Sequence, residues 1–245
     1  MKTVYLDNNA TTQVAEEVLE VMLPYFRDYY GNPSSMHSFG GQVGKKIREA
    51  REQVAALIGA SPEEIIFTSC GTESDNAAIR AALATHPDKR HIVTSRVEHP
   101  AVKALCAHLA KEGYTVTELP VDKDGLLDLQ QYEKSLTPDT AIVSLMWANN
   151  ETGVIFPIEK AAEMARERDI TFHTDAVQST GKIPIDMKSN AVDMLSISGH
   201  KLHAPKGVGV LYVRRGTKFL PLLIGGHQEK ERRGGTENTP NIIGL

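Results

Sequence analysis

Short apolar runs alternate with segments of helical periodicity along this 245-residue chain. Apolar residues recur three or four positions apart in the helical segments, as at Val43, Ile47 and Ala50. The apolar runs have the length of buried strands, and they cover residues 63–69, 91–95, 114–119, 140–147, 170–175, 192–198 and 207–213. This alternation predicts an α/β fold with a mainly parallel sheet of about seven strands and helices on both faces.

Composition and charge narrow the class of protein. The formal net charge is −4 and no basic run is present, so a nucleic-acid partner is not expected. No apolar stretch approaches membrane-spanning length, so a membrane location is not expected either. The two cysteines, Cys70 and Cys106, lack the spacing of a metal site or a disulfide framework, and no metal is predicted. A reducing, cytoplasmic compartment is the expected location.

Polar groups follow five consecutive predicted strands. They lie in the segments CGTES, EHPAV, WANNETG, HTDAVQS and SGHK. Each segment has an ordinary explanation by itself, such as a helix cap or a turn. Lys201, however, lies between two apolar runs, where a lysine is costly unless it is paired or has lost its charge. Because ligands gather at the carboxyl ends of such strands, the five segments are interpreted together.

One ligand explains all five segments together, and that ligand is pyridoxal 5′-phosphate. A helix N-terminus holds its phosphate, and a carboxylate holds its protonated ring nitrogen. A flat side chain stacks on the ring, and a lysine forms a Schiff base with the aldehyde. The sequence therefore predicts that Lys201 is internal because a cofactor occupies it.

The same segments resemble those of a known family. The matching stretches are YLDNNATT, YGNPSSMHSFG, TSCGTESDNAA, EHPAV, WANNETG, FHTDAVQ, SGHKLHAPKGVG and RRGGTEN. In this order and spacing they resemble the cysteine desulfurases, in the class-V aminotransferase group of pyridoxal-phosphate enzymes. The resemblance covers essentially the whole chain and implies the large domain of the fold-type I aminotransferases.

The resemblance also implies roles for individual residues. Lys201 would carry the Schiff base, and Asp175 would pair with the pyridine nitrogen, although in isolation an aspartate after a strand more often caps a helix. Gln178 would bond the phenolic oxygen, and His99 would stack on the ring and move protons. Thr236 would reach the phosphate in the partner subunit of a homodimer.

The remaining implied contacts surround the phosphate and the substrate. Gly71 and Thr72 would bind the phosphate with Ser198 and His200. Asn150 would lie near the phenolic oxygen and the substrate carboxylate. Gly199 is a further member of the implied cofactor site, and it departs from the family, in which a serine is common at this position.

The implied reaction takes sulfur from L-cysteine, leaving L-alanine and an enzyme persulfide that serves a sulfur-acceptor or iron–sulfur scaffold protein. Residues 1–14 would belong with a small domain and residues 15–245 would form the large cofactor domain. The C-terminal small domain, with the persulfide cysteine and the arginine for the substrate carboxylate, would be absent from these 245 residues. Cys70 and Cys106 match neither position, and Cys106 is expected to pack in the core.

Two alternatives remain open from the residues. One is a selenocysteine lyase on the same scaffold. The other is a cofactor-binding or dimerising fragment without sulfur transfer.

Overall fold

A computed structural model describes residues 3–245, and a seven-stranded sheet forms the centre of that region. The strands are β1 (Ile65–Thr68), β2 (His91–Ser95), β3 (Thr115–Leu119), β4 (Thr140–Met146), β5 (Thr171–Asp175), β6 (Met194–Ser198) and β7 (Gly209–Val213). Their order across the sheet is β1-β7-β6-β5-β4-β2-β3. Strand β7 pairs antiparallel with both of its neighbours, whereas the pairs between β6 and β3 are parallel. The predicted α/β class and mainly parallel sheet are confirmed.

Eight helices surround the sheet in the described region. They are α1 (Glu16–Met22), α2 (Pro24–Arg27), α3 (Ser38–Leu57), α4 (Gly71–Thr85), α5 (Pro100–Lys111), α6 (Leu129–Ser135), α7 (Ile158–Arg166) and α8 (Thr239–Gly244). None of the helices within residues 3–245 is long and apolar enough to cross a membrane.

The sheet separates two hydrophobic cores because successive strand side chains point to opposite faces. In β1, Ile65 and Phe67 pack in one core and Ile66 packs in the other. The first core includes residues of α3 and α7, and the second includes residues of α4 and α5. Cys106 is fully buried in the second core, which confirms its expected packing role. Helices therefore cover both faces, as the alternating pattern predicts.

The predicted strands are one or two residues too long at some ends, and local backbone chemistry explains the difference. Pro62–Glu64 forms a 3₁₀ turn, closed by a capping box between Ser61 and Glu64, so β1 begins only at Ile65. Gly207 has a positive φ of 85°, which turns the chain before β7. The joint between β6 and β7 contains a second 3₁₀ turn, Gly199–Lys201. This joint brings Lys201 to the end of the sheet where β4 and β5 also end.

Candidate functional site

A cavity of about 510 Å³ opens at the carboxyl ends of β4, β5 and β6. Its lining includes most of the residues that the sequence predicts for a cofactor site: Gly71, Thr72, His99, Asn150, Asp175, Gln178, Ser198, His200 and Lys201. These residues are separated by up to 130 positions in the chain, from 71 to 201. The parallel strand ends bring them together, which is the usual place for a ligand in an open α/β sheet.

Lys201 is half-buried at the rim of the cavity, and main-chain carbonyls hold its amine. Its Nζ donates to the carbonyl oxygen of Asn9 and, at 2.8 Å, to that of Ala10. Burial lowers the pKa of Lys201, and the positive charge of Lys182 lowers it further. A lysine with a lowered pKa has a larger fraction of neutral amine, which is the form that attacks a carbonyl carbon.

Asp175 ends β5 and is only 6% exposed. Its Oδ1 accepts the amide of Val177 at 2.9 Å, and the chain that follows forms a turn instead of a helix. The helix-capping interpretation of Asp175 is therefore wrong. Burial raises the pKa of Asp175, and the Val177 amide, His99 and Lys201 partly offset that rise. A buried carboxylate in this position is suited to binding a cation inside the cavity.

The first turn of α4 supplies backbone donors to the other side of the cavity. Cys70 precedes the helix and makes no side-chain cap, so the helix N-terminus retains its capacity to bind an anion. A Cβ at Gly71 would lie 3.0 Å from Val177 Cγ2 and 3.4 Å from Ser198 Cβ. Glycine therefore keeps the space at the helix start open.

Three other predicted residues are oriented by hydrogen bonds around the rim. Nδ1 of His99 accepts the amide of Ala101 at 3.1 Å, so the ring proton is on Nε2 when the ring is neutral. Gln178 donates to the carbonyl of Asn9 at 2.9 Å, and Asn150 donates to Glu151 at 2.6 Å. These side chains are held in place but keep contact with the open cavity.

Two predicted residues, Gly199 and Thr236, lie outside the cavity lining. Gly199 is buried beneath the rim, where a Cβ would lie 2.8 Å from Val208 Cγ1. Thr236 is exposed and lines a separate hollow. Its loop is tied to the first turn of α4, because Arg233 bonds Glu73 at 2.9 Å.

The N-terminal segment is the part of the site that sequence reasoning left without a role. Thr12 donates its amide to the carbonyl of His200 at 3.0 Å, and Asn9 donates its side chain to that of Asn150 at 3.2 Å. The segment therefore crosses the rim of the cavity beside Lys201. The stretch YLDNNATT indicates that this segment matters. Its contacts with Lys201 and Gln178, however, use main-chain carbonyls, which every residue type has. The assignment of residues 1–14 to a small domain stays a prediction, and residues 1 and 2 lie outside the described region.

Comparison with known proteins identifies the family. The model of the family described as aminotransferase class-V matches residues 4–245. The chain belongs to the class-V aminotransferase family. The cysteine desulfurase of Trichormus azollae is 64% identical over the whole chain, and the cysteine desulfurase NifS of Azotobacter vinelandii is 61% identical. This class-V aminotransferase chain spans 61% of the length of either relative.

Solved structures show the same fold. One described as a NifS-like protein has a TM-score of 0.96 and 44% identity, over 99% of this chain and 67% of its own. Another, described as SspA in complex with cysteine, also has a TM-score of 0.96, with 43% identity, over 99% of this chain and 71% of its own. The predicted fold-type I architecture is confirmed for this class-V aminotransferase.

Glu98 is a second buried carboxyl that the sequence reasoning gave no role. It is 4% exposed, and its Oε1 accepts Ser95 Oγ at 2.5 Å and the Met146 amide at 3.1 Å. Its Oε2 has no hydrogen-bond partner in the described region. Burial raises the pKa of Glu98 to about 8. Burial therefore favours the protonated form of this side chain in the folded class-V aminotransferase.

Glu98→Gln is expected to stabilise the protein at alkaline pH. Between the ordinary glutamate pKa of about 4.3 and the folded value of about 8, the folded state binds a proton that the unfolded state has lost. The free energy of unfolding of the wild type therefore falls as pH rises through this window, by on the order of 3 kcal/mol by pH 7. Glutamine keeps the two acceptor contacts without the titration. Denaturant unfolding at pH 5, 7 and 9 measures the difference between variant and wild type.

The exposed Glu118 offers a matched control. Glu118→Gln should leave the slope of stability against pH unchanged. Equal slopes for wild type and Glu98→Gln would show that Glu98 is not protonated in the folded state.

Proposed function

We propose that this chain is the pyridoxal-phosphate-binding part of a cysteine desulfurase, which removes sulfur from L-cysteine and leaves L-alanine and an enzyme persulfide. The observation that carries the proposal is the presence of Lys201 and Asp175 in one cavity, with the open start of α4 beside them. Both curated relatives described above are named cysteine desulfurases, and one similar structure is described as a complex with cysteine.

The residues of the cavity fit pyridoxal phosphate. Asp175 is a buried carboxyl that bonds no cation among residues 3–245, and a protonated ring nitrogen would supply one. The start of α4 has no side-chain cap, and Gly71 leaves space between Val177 and Ser198 for an anion. An amine with a lowered pKa, that of Lys201, lies on the same cavity.

Each group of residues would hold one part of the cofactor. Asp175 would hold the ring nitrogen, and Lys201 would hold the aldehyde carbon. Gln178 and Asn150 would bond the phenolic oxygen, and His99 would stack on the ring. The phosphate would be held by Gly71, Thr72, Ser198 and His200.

When bound, pyridoxal phosphate supplies an aldehyde that joins the substrate amine and a ring that withdraws electrons from the substrate α-carbon. The chain supplies the orientation and the proton transfers. Nζ of Lys201 would accept the α-proton, since its lowered pKa favours the neutral amine. Nε2 of His99 would donate a proton into the cavity, because its Nδ1 is already occupied by the Ala101 amide. The carboxylate of Asp175 would keep the ring nitrogen protonated.

We infer a homodimer from the placement of Thr236. The side chain is exposed and lies outside this chain's own cavity, although the family resemblance gives it a phosphate contact. A second subunit is the way to reconcile these two facts. Sulfur would leave the enzyme for an acceptor or iron–sulfur scaffold protein.

Borohydride reduction tests the cofactor assignment. Purified chain incubated with pyridoxal phosphate should turn yellow, and reduction should attach the cofactor to the peptide that contains Lys201. The matched control is Lys182→Ala, which removes the neighbouring lysine and should leave the label in place. Label on another lysine, or no label in a folded and cofactor-saturated sample, would contradict the assignment.

The two alternatives separate in the same preparation. A selenocysteine lyase should release alanine from selenocysteine and not from cysteine. A cofactor-binding fragment without sulfur transfer should carry the label on Lys201 but should exchange the α-proton of cysteine no faster than its Lys201→Ala variant, whereas the cofactor-binding part of a cysteine desulfurase should exchange it faster.

A further inference from the structure

Asp75 is a second buried aspartate on the cavity that holds Asp175. It lies on α4, four residues after Gly71, and its side chain faces the sheet. The residue is 1% exposed, and its Oδ1 has no hydrogen-bond partner among residues 3–245. An ionised carboxyl in this position would be a buried charge without a paired cation among residues 3–245, which costs several kcal/mol.

The basic side chain beside Asp75 does not compensate such a charge. Nε2 of His173 lies 3.6 Å from Oδ1 of Asp75, beyond hydrogen-bond range. The two ring nitrogens of His173 lie 2.9 Å from the hydroxyls of Ser144 and Ser196. His173 is fully buried, and burial lowers its pKa to about 3, so the ring is neutral.

The two aspartates have different electrostatic surroundings. Lys201 and His99 favour the ionised form of Asp175. Among the groups facing Asp75, the charge of Asp175 on β5 disfavours its ionised form, whereas a hydrogen bond from the Ser196 side chain on β6 favours it. Glu98 before α5 and Cys70 before α4 disfavour the ionised form only when they carry a charge. Burial raises the pKa of Asp75 well above its ordinary value, and Asp175 raises it further. Two such carboxyls cannot both ionise at low cost, so the proton belongs to Asp75 and the charge to Asp175.

We propose that Asp75 is a positioning residue for the ring-nitrogen site. Its carboxyl holds a proton, so that Asp75 and Asp175 together carry one negative charge. This inference rests on the proposed function, because it assigns the single charge to a single cationic ring nitrogen. A second charge would add the cost of another unpaired buried ion and would repel the charge of Asp175. The protonated carboxyl leaves Asp175 as the one ionised acceptor of the pair.

The stored proton is measurable without cofactor. The infrared spectrum of the cofactor-free chain at pH 7 should contain the C=O stretch of a protonated carboxylic acid. The difference spectrum of wild type minus Asp75→Asn should show the part of this band that comes from Asp75. The exposed Asp88 is the matched control, and Asp88→Asn should give no such difference. Absence of an Asp75 band at pH 7 would overturn the proposal.

Stability against pH gives a second readout. The ordinary aspartate pKa is about 3.9, and the folded value is raised, so the wild type loses stability as pH increases above about 4. Asp75→Asn should lack this share of the loss, whereas Asp88→Asn should keep it. The same slope in wild type and Asp75→Asn would overturn the proposal.

The affinity for pyridoxal phosphate tests the role of Asp75 separately from the proposed function. Asparagine reproduces a neutral Asp75, so Asp75→Asn should change the dissociation constant of pyridoxal phosphate less than about threefold at pH 7. Asp175→Asn should weaken binding at least about tenfold, since it removes a charged hydrogen-bond partner. Equal losses in the two variants would overturn the inference and leave the proposed function standing. A wild-type chain that takes up no pyridoxal phosphate would overturn the proposed function, while the infrared band still decides whether Asp75 holds a proton.

Discussion

Cofactor-loaded protein of these 245 residues, incubated with cysteine and a reductant, is expected to release no more alanine or sulfide than its Lys201→Ala variant. Removal of sulfur needs a mobile and exposed thiolate that reaches the substrate sulfur from outside the cofactor ring. Cys106 cannot provide it, because the residue is fully buried and burial raises the pKa of its thiol to about 12.

Cys70 is the other thiol of the chain, and the structure restricts its movement. Its carbonyl oxygen accepts the Ser74 amide at 3.1 Å and the Thr68 hydroxyl at 3.3 Å. The backbone of Gly209 also passes so close that a Cβ there would lie 2.6 Å from the Cys70 carbonyl carbon. Cys70 lines the cavity, but at the end where the phosphate would bind.

The turnover assay has a matched pair of variants. Sustained alanine release that Cys70→Ala abolishes and Cys106→Ala retains would identify Cys70 as the sulfur acceptor. That result would contradict the expectation of an inactive chain. Cofactor content must be equal in all samples, so that loss of turnover reports on the thiol and not on binding.

Asp175→Asn is expected to slow exchange of the substrate α-proton by about 100-fold or more, the size of contribution that preorganised electrostatic groups make. The carboxylate is 6% exposed, and its charge would hold the ring nitrogen in the protonated form that withdraws electrons. Asparagine keeps the shape of the side chain and the acceptor for the Val177 amide, but it loses the charge. Cofactor retention should also fall, by about 10- to 140-fold, because a charged hydrogen bond contributes roughly 1.5–3 kcal/mol.

The measurement is deuterium incorporation at the α-carbon of alanine or cysteine, at cofactor concentrations that saturate both proteins. Asp193→Asn is a useful comparison, since Asp193 is another aspartate whose pKa burial raises but which lies outside the cavity lining. That variant should exchange at the wild-type rate. An unchanged rate in Asp175→Asn would leave Asp175 with only its turn-forming hydrogen bond.

Much of the fold follows from local pattern. The strand β2 matches the predicted run of residues 91–95, because a short β-branched and apolar segment ends at polar residues on both sides. The exact start of α4 at Gly71 does not follow from local pattern, because composition does not distinguish a glycine at a helix start from one in the preceding turn.

Part of the candidate site could also be predicted from the sequence, and part could not. Lys201 could be predicted as a site residue because a lysine between apolar runs conflicts with ordinary burial. The role of Asp175 came from the family resemblance, since an aspartate after a strand is by itself explained as a cap. Both residues lie in short motifs of the family, so a few adjacent residues are enough to recognise each of them.

Only the tertiary structure decided what surrounds these residues. Asn9 and Ala10 act on Lys201 through their carbonyl oxygens, and every residue type presents that group, so no sequence pattern marks it. In the sequence Asp75 is an ordinary polar helix residue, and only the packing of α4 on the sheet buries its carboxyl at the cavity that Asp175 also lines. The sequence determined which chemical groups end each strand, because that is local. Which of them share a cavity, a proton or a charge depends on the packing of distant segments.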